Sequence, residues 1–230
     1  CPFFSLKRRR FCFHRQWAVP LVLWLQDIYP EIAERLGVLQ NRWLRRFLHF
    51  QARRIYVAST RIVVPGDDMK GTLAGFKEAD GKVAVIPNWA DLEKIKAEPI
   101  RRNRFKMEQG WEKDHVLMYS GNVGAAHDCK TMLALLVLLQ KEVSSLRFVL
   151  VGDTPRHDKL MEQAKNMGIV RRTSLPAQSR RRLGELLGAA DAHLVSQKTE
   201  AEGLVVPSKF YGIVAAGRPV IFVGPRTSEI

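Results

Sequence analysis

An α/β protein with two lobes, each carrying a parallel sheet, is the fold class this sequence predicts, and three observations predict it. Short apolar, partly β-branched runs alternate with stretches of helical periodicity. Several of those runs end on Gly, Pro or Gly-Asp, which mark strand-to-helix turns. One charged stretch without a period, residues 91–113, separates two such alternating blocks. Size and composition agree: 230 residues, 46% apolar and 26% charged, describe one large domain or two small ones and exclude a disordered or collagen-like chain. A chain of this length buries roughly 70% of its unfolded surface without covalent staples. Its three cysteines, Cys1, Cys12 and Cys129, include no CxxC pair and no zinc spacing, so a reducing compartment is the simpler expectation.

Taken in order, VPLVLWLQ (19–26) reads as a strand buried on both faces, with Asp27 at its C-terminal end. Residues 41–59 show helical spacing. Trp43, Leu44, Phe47, Leu48, Ile55 and Tyr56 fall on one side and Arg42, Arg45, Arg46, Arg53 and Arg54 largely on the other. The aromatic side is expected to serve the core, with docking on anionic lipid as the alternative. RIVVP (61–65) predicts a second strand, DDMKGTLAGF a short helix ending near Gly75, and KVAVIPN (82–88) a third strand. Residues 91–113 read as the connection between lobes, with the boundary near 92, giving lobes of 1–92 and 93–230.

The second block is more regular. Strands are expected at 115–124, 146–153, 169–175, 191–197 and 219–224, and helices at 130–143, 158–167, 180–189 and 208–216. Crossovers between such strands are right-handed, so the loops at the strands' C-terminal ends share one edge, where ligands bind.

The net charge of +14 is uneven, with +8 carried by residues 1–60, +2 by 61–113 and +4 by 114–230. Such a field attracts phosphorylated ligands, nucleic acid or acidic headgroups. The apolar run at 17–25 is too short to span a bilayer, and although basic residues 7–10 precede it, no small-residue cleavage site follows. Because the chain starts at Cys1 rather than Met and stops just after an apolar strand with no closing helix, it reads as a fragment.

Two places carry candidate chemistry. In SGNVG, a strand delivers Gly121, Asn122 and Gly124 to the sheet edge, where backbone N–H groups reach a phosphate or sugar unobstructed. In EGLVVPSKFYGIVAAGRPVIF (202–222), Pro207 starts a helix, Ser208 lies in its first turn and Lys209 adds a cation beside the exposed amides. A lysine there opposes the helix dipole at a cost below about 1 kcal/mol, which an anionic ligand reverses.

These segments, together with QDIYPE (26–31), VIPNWAD (85–91), YSGNVGAAHD (119–128) and VLVGD (149–153), resemble a bacterial glycosyltransferase of the GT4 type. That family has the GT-B fold of two Rossmann-like lobes, and the similarity is strongest to the branch that builds exopolysaccharide, colanic-acid-like or O-antigen repeat units. The resemblance implies a truncated N-terminal acceptor lobe and a C-terminal donor lobe lacking its last helices. It implies transfer of a sugar from a nucleotide diphosphate, UDP-linked, to a lipid-linked or saccharide acceptor, retaining and metal-independent, on the cytoplasmic side of the membrane, peripherally attached. No cofactor is expected, and no nucleic acid.

By the same resemblance, Gly121, Asn122, Gly124, His127, Pro207, Ser208 and Lys209 hold the diphosphate, Gly152 and Asp153 lie near the donor, and Ser174 and Leu175 face the nucleobase. Asp27 is a candidate base or acceptor contact, and Glu202 takes the role of the first of two family glutamates. The second falls on Gly212, and an Arg and a Lys common after the first glycine turn are here Asn122 and His127. Asp67 and Asp68 begin a helix and read as capping residues rather than metal ligands. The fragment alone is expected to be nearly inactive. A nucleotide-sugar epimerase with the same two lobes and a basic nucleic-acid or phosphate-binding module are the alternative readings.

Overall fold

The computed structural model describes residues 19–230. The basic cluster at 7–10, Cys1, Cys12, His14 and the start of the 17–25 run lie outside the described residues. The described chain divides into two compact units. Unit 1 comprises residues 19–87 with Glu200–Val206 and Thr227–Glu229, and unit 2 comprises Asn88–Thr199 with Pro207–Arg226. Residues 200–206, which the sequence reading runs on within 93–230, cluster with unit 1.

Unit 1 contains β1 (Val22–Trp24), α1 (Glu31–Arg35), α2 (Arg42–Ala58), β2 (Arg61–Val64), α3 (Asp67–Leu73) and β3 (Val83–Val85). Its three strands are parallel in the order β1-β2-β3. Ile62 and Val64 of the central strand are fully buried, as are Met69 and Leu73 of α3, and Tyr56 of α2 meets Phe76 edge-to-face at 5.9 Å. The segment 200–206 is stitched on by an antiparallel bridge between Asp27 and Val205 and by the Ile28 N–H donating to the Leu204 carbonyl at 2.8 Å.

Two expectations fail in this unit. The run 19–26 is not buried on both faces: among the described residues β1 pairs only with β2, and Val22 and Trp24, which share a face of the strand, are 58% and 53% exposed. A continuous apolar run does not tell an edge strand from a central one. Nor does the aromatic side of α2 serve the core. Asn41 caps the helix by accepting the N–H groups of Trp43 and Leu44, yet Trp43, Leu44, Phe47 and Phe50 are all exposed and Tyr56 alone is buried. Its carboxyl end is pinned by Lys82 Nζ, which donates to the carbonyls of Tyr56 and Val57 at 3.0 Å.

Unit 2 contains α4 (Arg104–Glu108), β4 (His115–Ser120), α5 (Cys129–Glu142), β5 (Leu146–Val151), α6 (Pro155–Asn166), β6 (Arg172–Leu175), α7 (Leu183–Gly188), β7 (Ala192–Ser196), α8 (Lys209–Ala215) and β8 (Val220–Val223). All five strands are parallel in the order β6-β5-β4-β7-β8. Alternation along β4 supplies both faces of the core. Leu117 and Tyr119 pack with Met132, Leu136 and Phe148 in one cluster, while Val116 and Met118 pack with Phe105, Trp111 and Leu186 in another. Sequence and structure agree on the five strands and on α5 to α8, with shifts: β4 ends at Ser120, β6 starts at Arg172 rather than 169, α6 starts at Pro155 rather than 158, and 180–189 opens with a 3₁₀ turn, Arg180–Arg182, while α4 was not expected.

The charged stretch 91–113 is more than a connection. Phe105 and Trp111 are buried in the core of unit 2, and Asn103 caps α4 by accepting the Lys106 N–H at 2.8 Å while donating to the Glu185 carbonyl. Three apolar anchors spaced among many charges, Ile95, Phe105 and Trp111, carry no readable period. No helix of the described residues is long and apolar enough to cross a membrane.

Candidate functional site

In unit 2, β4 and β7 lie side by side while their crossovers depart to opposite edges of the sheet, to β5 and to β8. That divergence opens a crevice at the strands' C-terminal ends, the usual ligand position in doubly wound sheets. The loop after β4 runs along this crevice. It is tied to β7 by Ser196 Oγ, which accepts the Asp128 N–H at 3.0 Å, and by the Lys198 N–H donating to the Ala126 carbonyl at 2.8 Å.

Lys209, the first residue of α8, reaches back to this loop. Its Nζ lies 3.5 Å from the centre of the Tyr119 ring and 3.8 Å from where a Cβ on Gly121 would sit. The two segments singled out by sequence, SGNVG and PSK, thus meet. The ammonium is shielded from solvent and finds no hydrogen-bond partner among the described residues. Burial pushes its pKa down to about 7. A cation–π contact with Tyr119 offsets only part of that desolvation.

His127 completes the corner. The Gly124 N–H donates to its Nδ1 at 2.8 Å, and its ring stands edge-on to Tyr119 at 5.8 Å. Burial, and then the charge of Lys209, push its pKa down to about 4, so it is neutral at physiological pH with Nε2–H as its donor. The structure makes Asp128 itself the cap, its Oδ1 accepting the Thr131 N–H at 3.1 Å, and turns His127 inward.

Gly121 takes φ +107°, a conformation that a side chain disfavours, and its carbonyl accepts from His157 Nε2 at 3.2 Å. That carbonyl only accepts, so Nε2 carries a proton, and Nδ1 pairs with the Thr154 hydroxyl at 2.6 Å. His157 also explains Gly152: a Cβ there would overlap the imidazole. Sequence reasoning missed this residue. Its signal was a Thr-x-x-His spacing across the start of a helix that follows a strand ending in glycine.

The remaining donor-side residues ring the same edge. Gly152 N–H donates to the Leu175 carbonyl at 3.0 Å, and Asp153 Oδ2 accepts the Ala177 N–H at 2.9 Å, which fixes the loop after Ser174 and Leu175. Ser208 and Asn122 are exposed, whereas Pro207 is buried with its carbonyl accepting the Phe210 N–H. Gly212 points away from this edge. A Cβ there would meet Leu187 Cδ1 at 3.3 Å and Ile95 Cδ1 at 3.8 Å, an apolar setting for the position that the resemblance gives to a ribose-binding glutamate.

Asp27 and Glu202 both belong to unit 1, on the two chain segments that the Asp27–Val205 bridge joins. Burial raises the Asp27 carboxyl above its ordinary range. The Glu202 carbonyl accepts from Arg35 Nη1 at 3.4 Å. Asp67 and Asp68 lie in the first turn of α3, where carboxylates favour the helix dipole, and Asp68 Oδ1 accepts the Met69 N–H. Among the described residues, no group of three or more His, Cys, Asp or Glu gathers as a metal cage would.

Residues 101–222, just over half of the chain, match the family described as Glycosyl transferases group 1. The chain belongs to that family. Its curated relatives include the probable glycosyltransferase WbjE of Pseudomonas aeruginosa, 29% identical over 217 residues, 91% of this chain and 52% of WbjE. The putative colanic acid biosynthesis glycosyl transferase WcaI of Escherichia coli (strain K12) is 27% identical over 153 residues, 64% of this chain and 36% of WcaI. The chain therefore spans about half or less of the relatives it matches. In fold it is similar to Anabaena Alr3699/HepE, solved in complex with UDP, with a TM-score of 0.66 and 17% identity over 95% of this chain and 57% of HepE. The glycosyl transferases group 1 match covers both the Gly121 turn and Lys209, and the expected α/β architecture of GT-B type holds.

Proposed function

We propose that this chain carries the donor-binding half of a retaining, metal-independent glycosyltransferase. The enzyme takes a sugar from a nucleotide diphosphate, UDP-linked, and passes it to a lipid-linked or saccharide acceptor in cell-envelope polysaccharide synthesis. The observation that carries this reading is the approach of Lys209 Nζ to the Gly121 turn with no hydrogen-bond partner among the described residues. Sugar transfer leaves a nucleoside diphosphate, and its departing charge needs fixed donors and cations aimed at it. Lys209 supplies the cation, exposed Asn122 at the turn supplies backbone, and neutral His127 supplies Nε2–H, whereas the N–H groups of Gly121 and Gly124, expected from the sequence to face the ligand, are committed to the Val151 carbonyl and to His127 Nδ1. Rotation about the flexible lysine side chain carries the ammonium from the Tyr119 ring to a diphosphate above the turn.

The tied loop at 174–177 then borders the nucleobase, Gly152 and Asp153 flank it, and Pro207 and Ser208 set the start of α8. Asp27, whose carboxyl burial holds above its ordinary range, and Glu202 serve the acceptor side. WcaI's naming for colanic acid biosynthesis and HepE's complex with UDP support the pathway and the nucleotide. Peripheral attachment to the cytoplasmic face is supported by α2, which has five arginines, no acidic residue and an exposed Trp43, Phe47 and Phe50.

Binding rather than turnover is the test, since the relatives are about twice as long. Calorimetric titration of UDP and UDP-sugars into the 230-residue chain is expected to show binding, weakened about tenfold or more in Lys209→Ala, the loss of one charge-assisted hydrogen bond. An unchanged affinity in the variant would overturn the assignment.

A further inference from the structure

The turn after β4 holds two consecutive backbone amides that its glycines do not supply. The Gly121 N–H donates to the Val151 carbonyl at 2.9 Å and the Gly124 N–H to His127 Nδ1 at 2.8 Å. Between them, the N–H groups of Asn122 and Val123 donate to no acceptor among the described residues. The carbonyl that precedes each of these amides is held from the protein interior. His157 Nε2 donates to the Gly121 carbonyl at 3.2 Å and the Tyr119 hydroxyl to the Asn122 carbonyl at 3.4 Å, from side chains that are 2% and 0% exposed.

In a trans peptide unit the carbonyl and the N–H that follows it point in opposite directions, and both units here are trans. Drawing the Gly121 carbonyl onto a buried ring therefore turns the Asn122 N–H away from the interior, at a point where Gly121 and Asn122 are exposed. Successive amides presented in this way make a concave donor pair for an anion. Tyr119 ties the pair to the neighbouring cation: its hydroxyl fixes the Asn122 carbonyl while its face carries Lys209 Nζ, 3.5 Å from the ring centre.

His157 is the part of this support that packing does not explain. A leucine would fill the space under Gly152 without needing partners, whereas the imidazole engages the Thr154 hydroxyl with one nitrogen and the Gly121 carbonyl with the other. Gly121, at φ +107°, lacks the Cβ that would restrict its peptide plane, so a fixed donor beneath it is what keeps its carbonyl inward.

We propose that His157 is a positioning residue of the donor site: through the Gly121 carbonyl it aims the Asn122 amide, and together with Tyr119 the Val123 amide, at the diphosphate of the donor. The inference rests on the donor-binding reading above. His157 itself does not touch the ligand.

The test titrates UDP and uridine into the 230-residue chain and into His157→Leu and His157→Gln. The leucine variant is expected to weaken UDP about tenfold or more and to leave uridine unchanged, because uridine lacks the diphosphate. His157→Gln, whose side-chain amide can donate to the same carbonyl, is expected to restore most of the UDP affinity. Labelling the five asparagines in the backbone adds a direct readout by NMR. The Asn122 amide, assigned by its disappearance in Asn122→Asp, is expected to shift at saturating UDP in the unsubstituted chain and to stay in place in His157→Leu. UDP bound equally by the unsubstituted chain and His157→Leu, or UDP and uridine weakened alike, overturns the positioning role and leaves the donor reading standing. An Asn122 amide that does not shift in the unsubstituted chain overturns it whether or not the leucine variant folds. UDP that fails to bind the unsubstituted chain, or that binds Lys209→Ala equally well, overturns the donor reading and this inference with it.

Discussion

In unit 2 the central strands are covered on both faces: β4 is buried from Val116 to Ser120, and β5 and β7 are buried over most of their length. In unit 1, β1 reads exposed, half-buried, exposed, and β3 is half-buried throughout. The two units use the same alternation of strand and helix but differ in how completely each element is enclosed. Enclosure decides whether a polar group is held by the fold or left to act. In unit 2 it produces a buried ammonium and two glycine turns locked by buried imidazoles. In unit 1 it leaves a helix whose aromatic residues and arginines both face outward.

The strongest way to break unit 2's side of that contrast is Gly152→Ala. The added methyl would overlap His157, itself 2% exposed and tied to Thr154 and Gly121, so the ring cannot yield without releasing the turn. A destabilisation of about 2–3 kcal/mol by urea unfolding is expected. A loss below about 0.5 kcal/mol would show the turn to be soft. Next in size, Lys209→Met separates stability from binding. Removing a shielded ammonium without a hydrogen-bond partner is expected to stabilise the fold by about 1 kcal/mol while UDP affinity falls about tenfold or more. A variant both less stable and still binding would contradict the site.

A titration sharpens the same point. The folded pKa of Lys209, about 7, lies below its ordinary 10.5, so the neutral amine is the favoured form in the fold. The stability it contributes is full above 10.5 and lost as pH falls through 7. Anion binding runs the other way because it needs the ammonium. UDP affinity is expected to fall with rising pH above 7, by at most about tenfold per unit, and to lose that slope in Lys209→Arg. The same slope in both proteins would assign it to another group.

Period and punctuation revealed the order of strands and helices from β4 to β8, because the central strands are enclosed and most of the helices end on glycine, while α4 went unread. It was the family resemblance that paired Gly121 with Lys209, through chemistry that suits one anion. What stayed hidden depends on contacts between residues distant in sequence. His157 acts on Gly121 across 36 positions, and nothing in the local pattern of either residue announces the other. Phe105 and Trp111 were masked by the charges around them, and the outward aromatics of α2 have the same spacing as a core-facing stripe. Periodicity identifies a face but not what covers it.

That last ambiguity sets the smallest expected effect on stability. If the exposed stripe of α2 belonged to the core, Trp43→Ser with Phe47→Ser would cost several kcal/mol, as large-to-small core substitutions do. At 71% and 52% exposure, the pair is expected to change unfolding stability by no more than about 0.5 kcal/mol. The arginines support a different role for the stripe. Arg42 and Arg54 stand 5.6 Å over the rings of Trp43 and Phe50, and α2 carries no carboxylate, so apolar and cationic groups are presented together. Cosedimentation with vesicles containing anionic lipid should therefore fall markedly in the Trp43 and Phe47 variant while its melting curve stays in place. Retained cosedimentation would move the membrane contact off this helix, and a collapsed melting curve would return its aromatics to the core.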